Sequence, residues 1–302
     1  MPTLRTSLLD LKSLPFQQIQ TIFSEAQKIK SNKNSTISFS GETIALLFFE
    51  ASTRTRLSFE TAAFRLGLGP LLLDGGVKSS LEKGESIEDS ILNVAAMHPR
   101  FLVVRCGDSF DLSGLAKKIQ IPLINAGWGV KGHPTQALLD IFTMQESLGD
   151  LSGKKILFVG DIRHSRVAAS HFELADVLKT QMAVCCPPEF LPENNKLKIF
   201  ENLNEALAWA DVVMTLRCQF ERHQSGFKIF SAQDYRKNYG LNQTRLQKLH
   251  AKALIMHPGP INHGIELESE VLQDSRCRVL EQVSNGVYVR QATLRLMLEG
   301  KL

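Results

Sequence analysis

Ile44-Ala45-Leu46-Leu47-Phe48-Phe49-Glu50-Ala51-Ser52-Thr53-Arg54-Thr55-Arg56 is the stretch on which the fold turns, because it leads an apolar run into a helix through a cluster of polar residues. Phe59, Ala62, Ala63 and Leu66 follow at i, i+3, i+4 and i+7, one face of a helix that starts near Leu57, and Gly67 stands where that helix stops. Ile44–Phe49 therefore reads as a strand, and Ser52–Arg56 opens the helix behind it. A helix start leaves backbone N–H groups unpaired and carries the positive end of the macrodipole, so it attracts anions. One Ser or Thr would serve as a cap beside solvated arginines. Hydroxyls on Ser52, Thr53 and Thr55 interleaved with Arg54 and Arg56 supply more donors than capping uses, and together they make an anion site.

The same alternation runs along the chain. Further strands are expected at Pro70–Leu73, Phe101–Arg105, Pro122–Asn125, Lys155–Val159, Met182–Cys185, Asp211–Leu216, Ala253–Met256 and Val279–Val283. Most are continuous apolar runs, as parallel strands covered on both faces require. Helical patterns lie between them, at Pro15–Lys30, Leu57–Leu66, Ile87–Ala96, Leu112–Ile119, Pro134–Leu148, Val167–Leu178, Leu203–Ala210, Asn242–Lys252 and Val287–Leu298. The order is that of an α/β protein with parallel sheets. Gly149-Asp150-Leu151-Ser152-Gly153-Lys154 breaks a long helix from a fresh strand, which predicts a first domain over 1–149 and a second from 150. In such sheets ligands bind beyond the carboxyl ends of the strands, so the chemistry is expected where both sets of strand ends meet a cleft.

Composition narrows the class. The 302 residues are 43% hydrophobic, enough for sizeable cores, and 35 Lys plus Arg against 31 Asp plus Glu leave a net charge of +4 without a long basic tract. That suits small anionic ligands better than a nucleic-acid surface. Cys106, Cys185, Cys186, Cys218 and Cys277 show no paired ligand spacing, and Cys185-Cys186 lie in an apolar run as buried thiols; a reduced, cytoplasmic compartment is expected. The segment from Met1 lacks an apolar signal core, and no apolar run approaches the ~18 residues that span a bilayer.

The loops after the strands hold the chemistry. Arg105 ends one strand. After Pro122–Asn125 come Gly127, Gly129 and Gly132, which match a G-x-G-x-x-G dinucleotide pattern in letters only. In that fingerprint the helix begins at the middle glycine, whereas Pro134 places this helix start after Gly132. The acidic residue needed about 20 positions on would fall in or just after the helix, not at the end of a strand. His133 stands just before the helix with Gln136 one turn on, where glycines permit close approach and the imidazole could donate to a carbonyl oxygen that gains charge. In the second half, Gly160-Asp161 leads to Arg166, and the strand before Arg217 leads to Cys218-Gln219. Guanidinium forks from different strands can hold the carboxylates of one small substrate. His257-Pro258-Gly259-Pro260 fixes a tight turn whose backbone carbonyls can accept from an amide NH₂. The loop from Gly75 to Glu85, with Lys83, reads on its own as solvated.

Taken together, these residues resemble the transcarbamoylases. Phe48 to Glu60 resembles the carbamoyl-phosphate signature, and Lys83-Gly84-Glu85, His133-Pro134-Thr135-Gln136, Gly160-Asp161 with Arg166, His257-Pro258-Gly259-Pro260 and Gln282-Val283-Ser284-Asn285-Gly286-Val287 follow in family order over nearly the whole chain. The match is to the aspartate branch. The ornithine branch would show His-Cys-Leu-Pro and Asp-x-x-x-Ser-Met-Gly, which this sequence lacks.

The resemblance implies transfer of a carbamoyl group from carbamoyl phosphate to L-aspartate. Ser52, Thr53, Arg54 and Thr55 would bind the phosphate, with Thr55, Arg105 and His133 on the carbonyl oxygen, so that Arg54, Thr55, Arg105 and His133 carry catalysis. Gln136 and the backbone of Gly259 and Pro260 would position the carbamoyl NH₂, while Arg166, Arg217 and Gln219 would take the aspartate carboxylates. Lys83 and a serine of its loop, by spacing Ser79 rather than Ser80, would enter the site of a neighbouring subunit in a homotrimer. Regulatory or pathway-partner chains are compatible with such a trimer, and neither nucleic acid nor membrane is a partner. The family pattern also returns the C-terminal helix, 287–302, to the first domain, leaving 150–286 as the second. No metal, cofactor or covalent intermediate is required by this chemistry. Two positions depart from the pattern: Ala51 replaces a proline, and His263 stands where an arginine is usual, in the loop that orders around aspartate. A transcarbamoylase for ornithine or an acylated relative, and a non-catalytic phosphate-binding protein on the same fold, are the competing readings.

Overall fold

The computed structural model describes residues 7–32, 38–75, 84–192, 197–218 and 231–302. The chain divides into two compact units, Met1–Phe142 with Val283–Leu302, and Thr143–Gln282. The long helices α5 (Pro134–Leu148) and α11 (Val279–Leu298) each run from one unit into the other.

In the first unit, α1 (Phe16–Lys30) precedes β1 (Thr43–Phe48), α2 (Thr53–Arg65), β2 (Gly69–Asp74), α3 (Ile87–Ala95), β3 (Leu102–Cys106), α4 (Leu112–Lys118) and β4 (Leu123–Trp128). The strands form a parallel sheet in the order β2-β1-β3-β4. Along β1, Ala45 and Leu47 pack with Leu102, Val104 and Leu123 on one face, and the intervening Leu46 is equally buried on the other. Burial on both faces is why the run reads as continuous rather than alternating. The chain steps outward from β1 to β2 and then crosses to β3 on the opposite side of β1, so the strand order reverses between β1 and β3. Phe48 at the end of β1 pairs in register with Arg105 of β3.

The second unit repeats the plan with β5 (Lys155–Val159), α6 (Arg166–Phe172), α7 (Ala175–Leu178), β6 (Gln181–Cys185), β7 (Lys198–Ile199), α8 (Leu203–Trp209), β8 (Val212–Thr215), α9 (Ala232–Tyr239), α10 (Gln243–Leu246) and β9 (Leu254–Met256). Its parallel sheet has the order β7-β6-β5-β8-β9, so the reversal falls between β5 and β8. Leu157, Val159, Val213 and Ile255 form its core with Leu203 and Leu207 of α8. The cysteines carry no disulfide, and Cys185 and Cys186 are buried thiols whose pKa values burial raises, that of Cys185 to about 12. No helix among the described residues is long and apolar enough to cross a membrane.

Three expectations about elements are corrected. Val279–Val283 is not a strand but the opening of α11: the chain meets the sheet in an isolated bridge from Cys277 to Ile255 and then turns helical. Its Leu280 is 79% exposed, whereas Gln282, 2% exposed, accepts from the His257 backbone at 3.0 Å. A five-residue segment bounded by valines cannot be told from a turn of helix by pattern alone. The helix expected over Val167–Leu178 is split into α6 and α7, and that over Asn242–Lys252 shrinks to the single turn of α10. Helix α9 has only Tyr235 buried and so shows no apolar periodicity; its start is marked by Ser231, whose hydroxyl accepts from Asp234 N at 3.0 Å.

Gly286 lies inside α11, where a glycine costs roughly 1 kcal/mol relative to alanine. Close packing accounts for it: a Cβ there would stand 2.7 Å from Arg290 Nη1 and 3.2 Å from Leu139 Cδ2.

Candidate functional site

Helix α2 begins at Thr53, four residues before the apolar periodicity, so the polar run is the helix's first turn and not a loop ahead of it. Ser52 is the N-cap, and its hydroxyl makes no capping bond to the turn. The first-turn N–H groups of α2 thus face outward beside the hydroxyls of Ser52 and Thr53. The two arginines part company. Arg56 pairs with Asp74 at 2.8 Å and Glu60 at 3.3 Å, whereas Arg54 forms no hydrogen bond or ion pair among the described residues. Surrounding protein withdraws water from the Arg54 guanidinium and lowers its pKa from the ordinary arginine value, which strengthens its pull on an anion.

A second helix start meets the first. His133 lies immediately ahead of α5, and its carbonyl accepts from Gln136 N at 3.0 Å and Ala137 N at 3.2 Å, the first bonds of that helix. Its imidazole is buried, and Nε2 stands 3.4 Å from Thr55 Oγ1. The positive ends of α2 and α5 therefore converge where Thr55 and His133 touch. The glycine loop that delivers His133 is tied down: Asn125, fully buried, donates to Leu9 and Gly132 carbonyls and accepts from Gly127 N at 2.8 Å, and Asp108 accepts from Val130 N at 2.6 Å. Gly129 has φ +46, and a Cβ there would strike Asp108, so that turn requires glycine. Helix α5 begins at Pro134, as its spacing predicts.

Arg105 completes this corner at the strand-order reversal. Its Nε is 3.7 Å from Glu50 Oε2 and its Nη1 3.5 Å from the Ala126 carbonyl. These are loose contacts that a ligand oxygen could replace. Gln136, 8% exposed, donates from Nε2 to Asp140 Oδ1 at 2.9 Å.

The second unit carries its basic residues at the same kind of place. Gly160, with φ +130, follows β5, and a Cβ there would lie 2.5 Å from the Leu216 carbonyl, so the two central strands can leave the sheet side by side only with glycine present. Buried Asp161 accepts from His164 N and Nδ1, and Ser165 caps α6 by accepting from Ala168 N, which makes Arg166 the first residue of that helix. Arg217 follows β8, its Nε 3.5 Å from Asn262 Oδ1. Asn262 is fixed in turn by buried Glu266, whose carboxylate accepts from Asn262 N at 2.7 Å, Asn262 Nδ2 at 2.8 Å and Cys218 N at 2.8 Å. Burial pushes the Glu266 carboxyl up from its ordinary value, against these hydrogen bonds, which pull it down. The turn after β9 has Gly259 at φ +69, joined to Pro260 by a cis peptide. Gly259 N donates to His257 Nδ1 at 2.8 Å, which leaves Pro260 at the exposed end.

The structure thus gathers Ser52, Thr53, Arg54, Thr55, Arg105, His133 and Gln136 in the first unit, and Arg166, Arg217, Gly259 and Pro260 at the strand ends of the second. Ser79, Lys83 and Gln219 lie outside the described residues. Asp140, Asn262 and Glu266 were not foreseen. Only Asp140 left a trace in the sequence, four positions after Gln136 on a helix.

Two parallel α/β units, each with basic side chains where its strand order reverses, define a class of protein built to hold small anions at strand ends. A family model described as the carbamoyl-P binding domain of aspartate/ornithine carbamoyltransferase matches residues 6–146, and one described as the Asp/Orn binding domain matches residues 152–297. The chain belongs to the aspartate/ornithine carbamoyltransferase family. It is similar to the aspartate carbamoyltransferase catalytic subunit of Desulfitobacterium hafniense, 44% identical over 98% of this chain and 96% of the relative, and to that of Helicobacter pylori, 42% identical over 99% of each. Among solved structures it resembles ornithine carbamoyltransferase from Thermus thermophilus, with TM-score 0.84 and 25% identity over 97% of this chain and 98% of the other. Aspartate transcarbamoylase from Trypanosoma cruzi in complex with carbamoyl phosphate and aspartate matches with TM-score 0.81 and 28% identity over 96% of each.

Proposed function

We propose that this protein transfers the carbamoyl group of carbamoyl phosphate to the amine of L-aspartate, giving N-carbamoyl-L-aspartate and phosphate, a step of pyrimidine biosynthesis in the cytoplasm. The observation that carries the reading is the meeting of the α2 and α5 starts at Thr55 and His133, with Arg54 beside them. Phosphate sits on Ser52, Thr53, Arg54 and Thr55. The carbamoyl oxygen is held by Thr55, Arg105 and His133, and its NH₂ by Gln136 with the carbonyls of Gly259 and Pro260. Aspartate is favoured over ornithine because Arg166 and Arg217 attract two carboxylates and would repel a second ammonium group. The full-length relatives named as aspartate enzymes support the same choice.

In the reaction the neutral aspartate amine adds to the carbamoyl carbon, its lone pair forming the C–N bond while the carbonyl π electrons move to oxygen. Thr55, Arg105 and His133 donate to that oxyanion. Collapse breaks the C–O bond to phosphate, and the departing phosphate takes the amine's proton. Catalysis is then positioning plus electrostatic stabilisation, with each oxyanion donor contributing on the order of 10²–10³ in rate. Product formation from carbamoyl phosphate with L-aspartate, and its absence with ornithine, tests the assignment; phosphate release with ornithine alone would reverse the choice, and none with either would leave a binding protein.

The active form is a homotrimer in which Lys83 and Ser79 serve a neighbouring site. Arg54→Ala and Lys83→Ala chains, each inactive alone, are expected to regain part of their activity when mixed under subunit exchange, because some interfaces then carry neither lesion. Demonstrated exchange without recovery would rule out sharing.

A further inference from the structure

Beneath the corner where α2 and α5 meet lie two charged groups that the proposed reaction does not use, Asp140, fully buried, and Arg290, 3% exposed. A charge taken out of water must be matched, so their presence needs a reason. Arg290 of α11 donates from Nη1 to Ser58 Oγ of α2 at 2.8 Å, and its guanidinium lies 5.1 Å from the centre of the Phe59 ring. Burial draws the Arg290 pKa down to about 10 while the charge of Asp140 acts to raise it. Gly286, one turn before Arg290, is what lets α11 come this close.

Asp140 faces the site through Gln136, whose Nε2 it accepts from at 2.9 Å. A carboxylate has no proton to give, so the edge of the Gln136 amide that meets it must be the NH₂. Oε1 is thereby turned the other way and held as an acceptor.

Resting on the reaction proposed above, we infer that Asp140 is a positioning residue that fixes the Gln136 amide with its oxygen toward the carbamoyl NH₂. That orientation makes the site selective for an acyl phosphate bearing NH₂ over one bearing a methyl group. A glutamine free to flip would present its own NH₂ half the time and lose that distinction. A site built to accept from a substrate N–H discriminates strongly because its acceptor is stranded when the wrong ligand binds.

The test compares carbamoyl phosphate with acetyl phosphate, using the KM of the first and the inhibition constant of the second. The decisive variant is Asp140→Leu with Arg290→Met, which removes both buried charges together and keeps an apolar group over Phe59. That variant is expected to unfold near the parent temperature, to raise the KM for carbamoyl phosphate by about tenfold, the value of one lost hydrogen bond, and to leave acetyl phosphate inhibition within about twofold. Asp140→Asn, which still offers an oxygen to the Gln136 NH₂, is expected to restore most of the preference. Unchanged preference in the double variant, or parallel weakening of both ligands, would overturn the positioning role. A parent protein that transfers no carbamoyl group to aspartate would instead sink the reaction itself, and the inference with it.

Discussion

Replacing Arg54 with alanine is expected to leave a folded protein whose carbamoyl transfer falls by on the order of 10³, the loss that follows removal of one charged donor from developing charge. Arg54 is the second residue of α2 and engages no described residue by hydrogen bond or ion pair, so truncating it breaks no hydrogen bond or ion pair that the described residues show. What it removes is a partly desolvated cation in the first turn of α2. Arg56→Ala is the matching control, since its pairs with Asp74 and Glu60 point elsewhere; at partly exposed positions such pairs contribute about 0–1 kcal/mol, and turnover should change little. Circular dichroism checks the fold and steady-state kinetics the rate. Near-parent activity in Arg54→Ala would remove the phosphate from this helix start.

Glu266→Leu is expected to cost on the order of 3–5 kcal/mol in the second unit, because it strands the buried backbone donors of Cys218 and Asn262 and the Asn262 amide at once, each worth about 1–3 kcal/mol when unmet. Glutamine should rescue little. Both carboxylate oxygens receive N–H donors, so either placement of the Gln NH₂ confronts a donor with a donor. Calorimetry is the suitable measurement because a two-unit chain need not unfold in one step. Loosening of Asn262 should also free Arg217, raising the KM for aspartate while that for carbamoyl phosphate stays near the parent value. A stability loss below about 1 kcal/mol would show that the loop re-forms its bonds elsewhere.

How much of this was legible in the sequence follows from the range over which each signal acts. The central strands of both sheets are legible because residues such as Leu46 and Leu47 are buried on opposite faces, which writes an unbroken apolar run into the chain, whereas the two-residue edge strand β7 is exposed and leaves no such run. The anion site was legible because its hydroxyls and guanidinium groups are contiguous. The start of α2 was placed too late for the same reason: a first turn made of polar residues has no apolar period to detect. Val279–Val283 misleads in the other direction, a short segment with valine at each end whose Leu280 stays in solvent while polar Gln282 is buried. Buried polar partnerships were invisible, because Thr55 and His133 are 78 positions apart and Ser58 and Arg290 are 232 apart, and neither pairing leaves a local pattern. The family resemblance supplied residue roles that spacing alone could not.

The division of the chain also bears on the order in which it can fold. The second unit is one continuous segment, whereas the first is completed by Val283–Leu302, reaching back from Asn285 to Lys30 at 2.9 Å across 255 positions and from Arg290 to Ser58. The unit that holds α2 is begun before the second unit in sequence and is completed only after it. Until Val283–Leu302 is in place Ser58 of α2 lacks its Arg290 partner, while the second unit is continuous in sequence through Gln282. The first unit thus depends on contacts far more distant in sequence than those that complete the second.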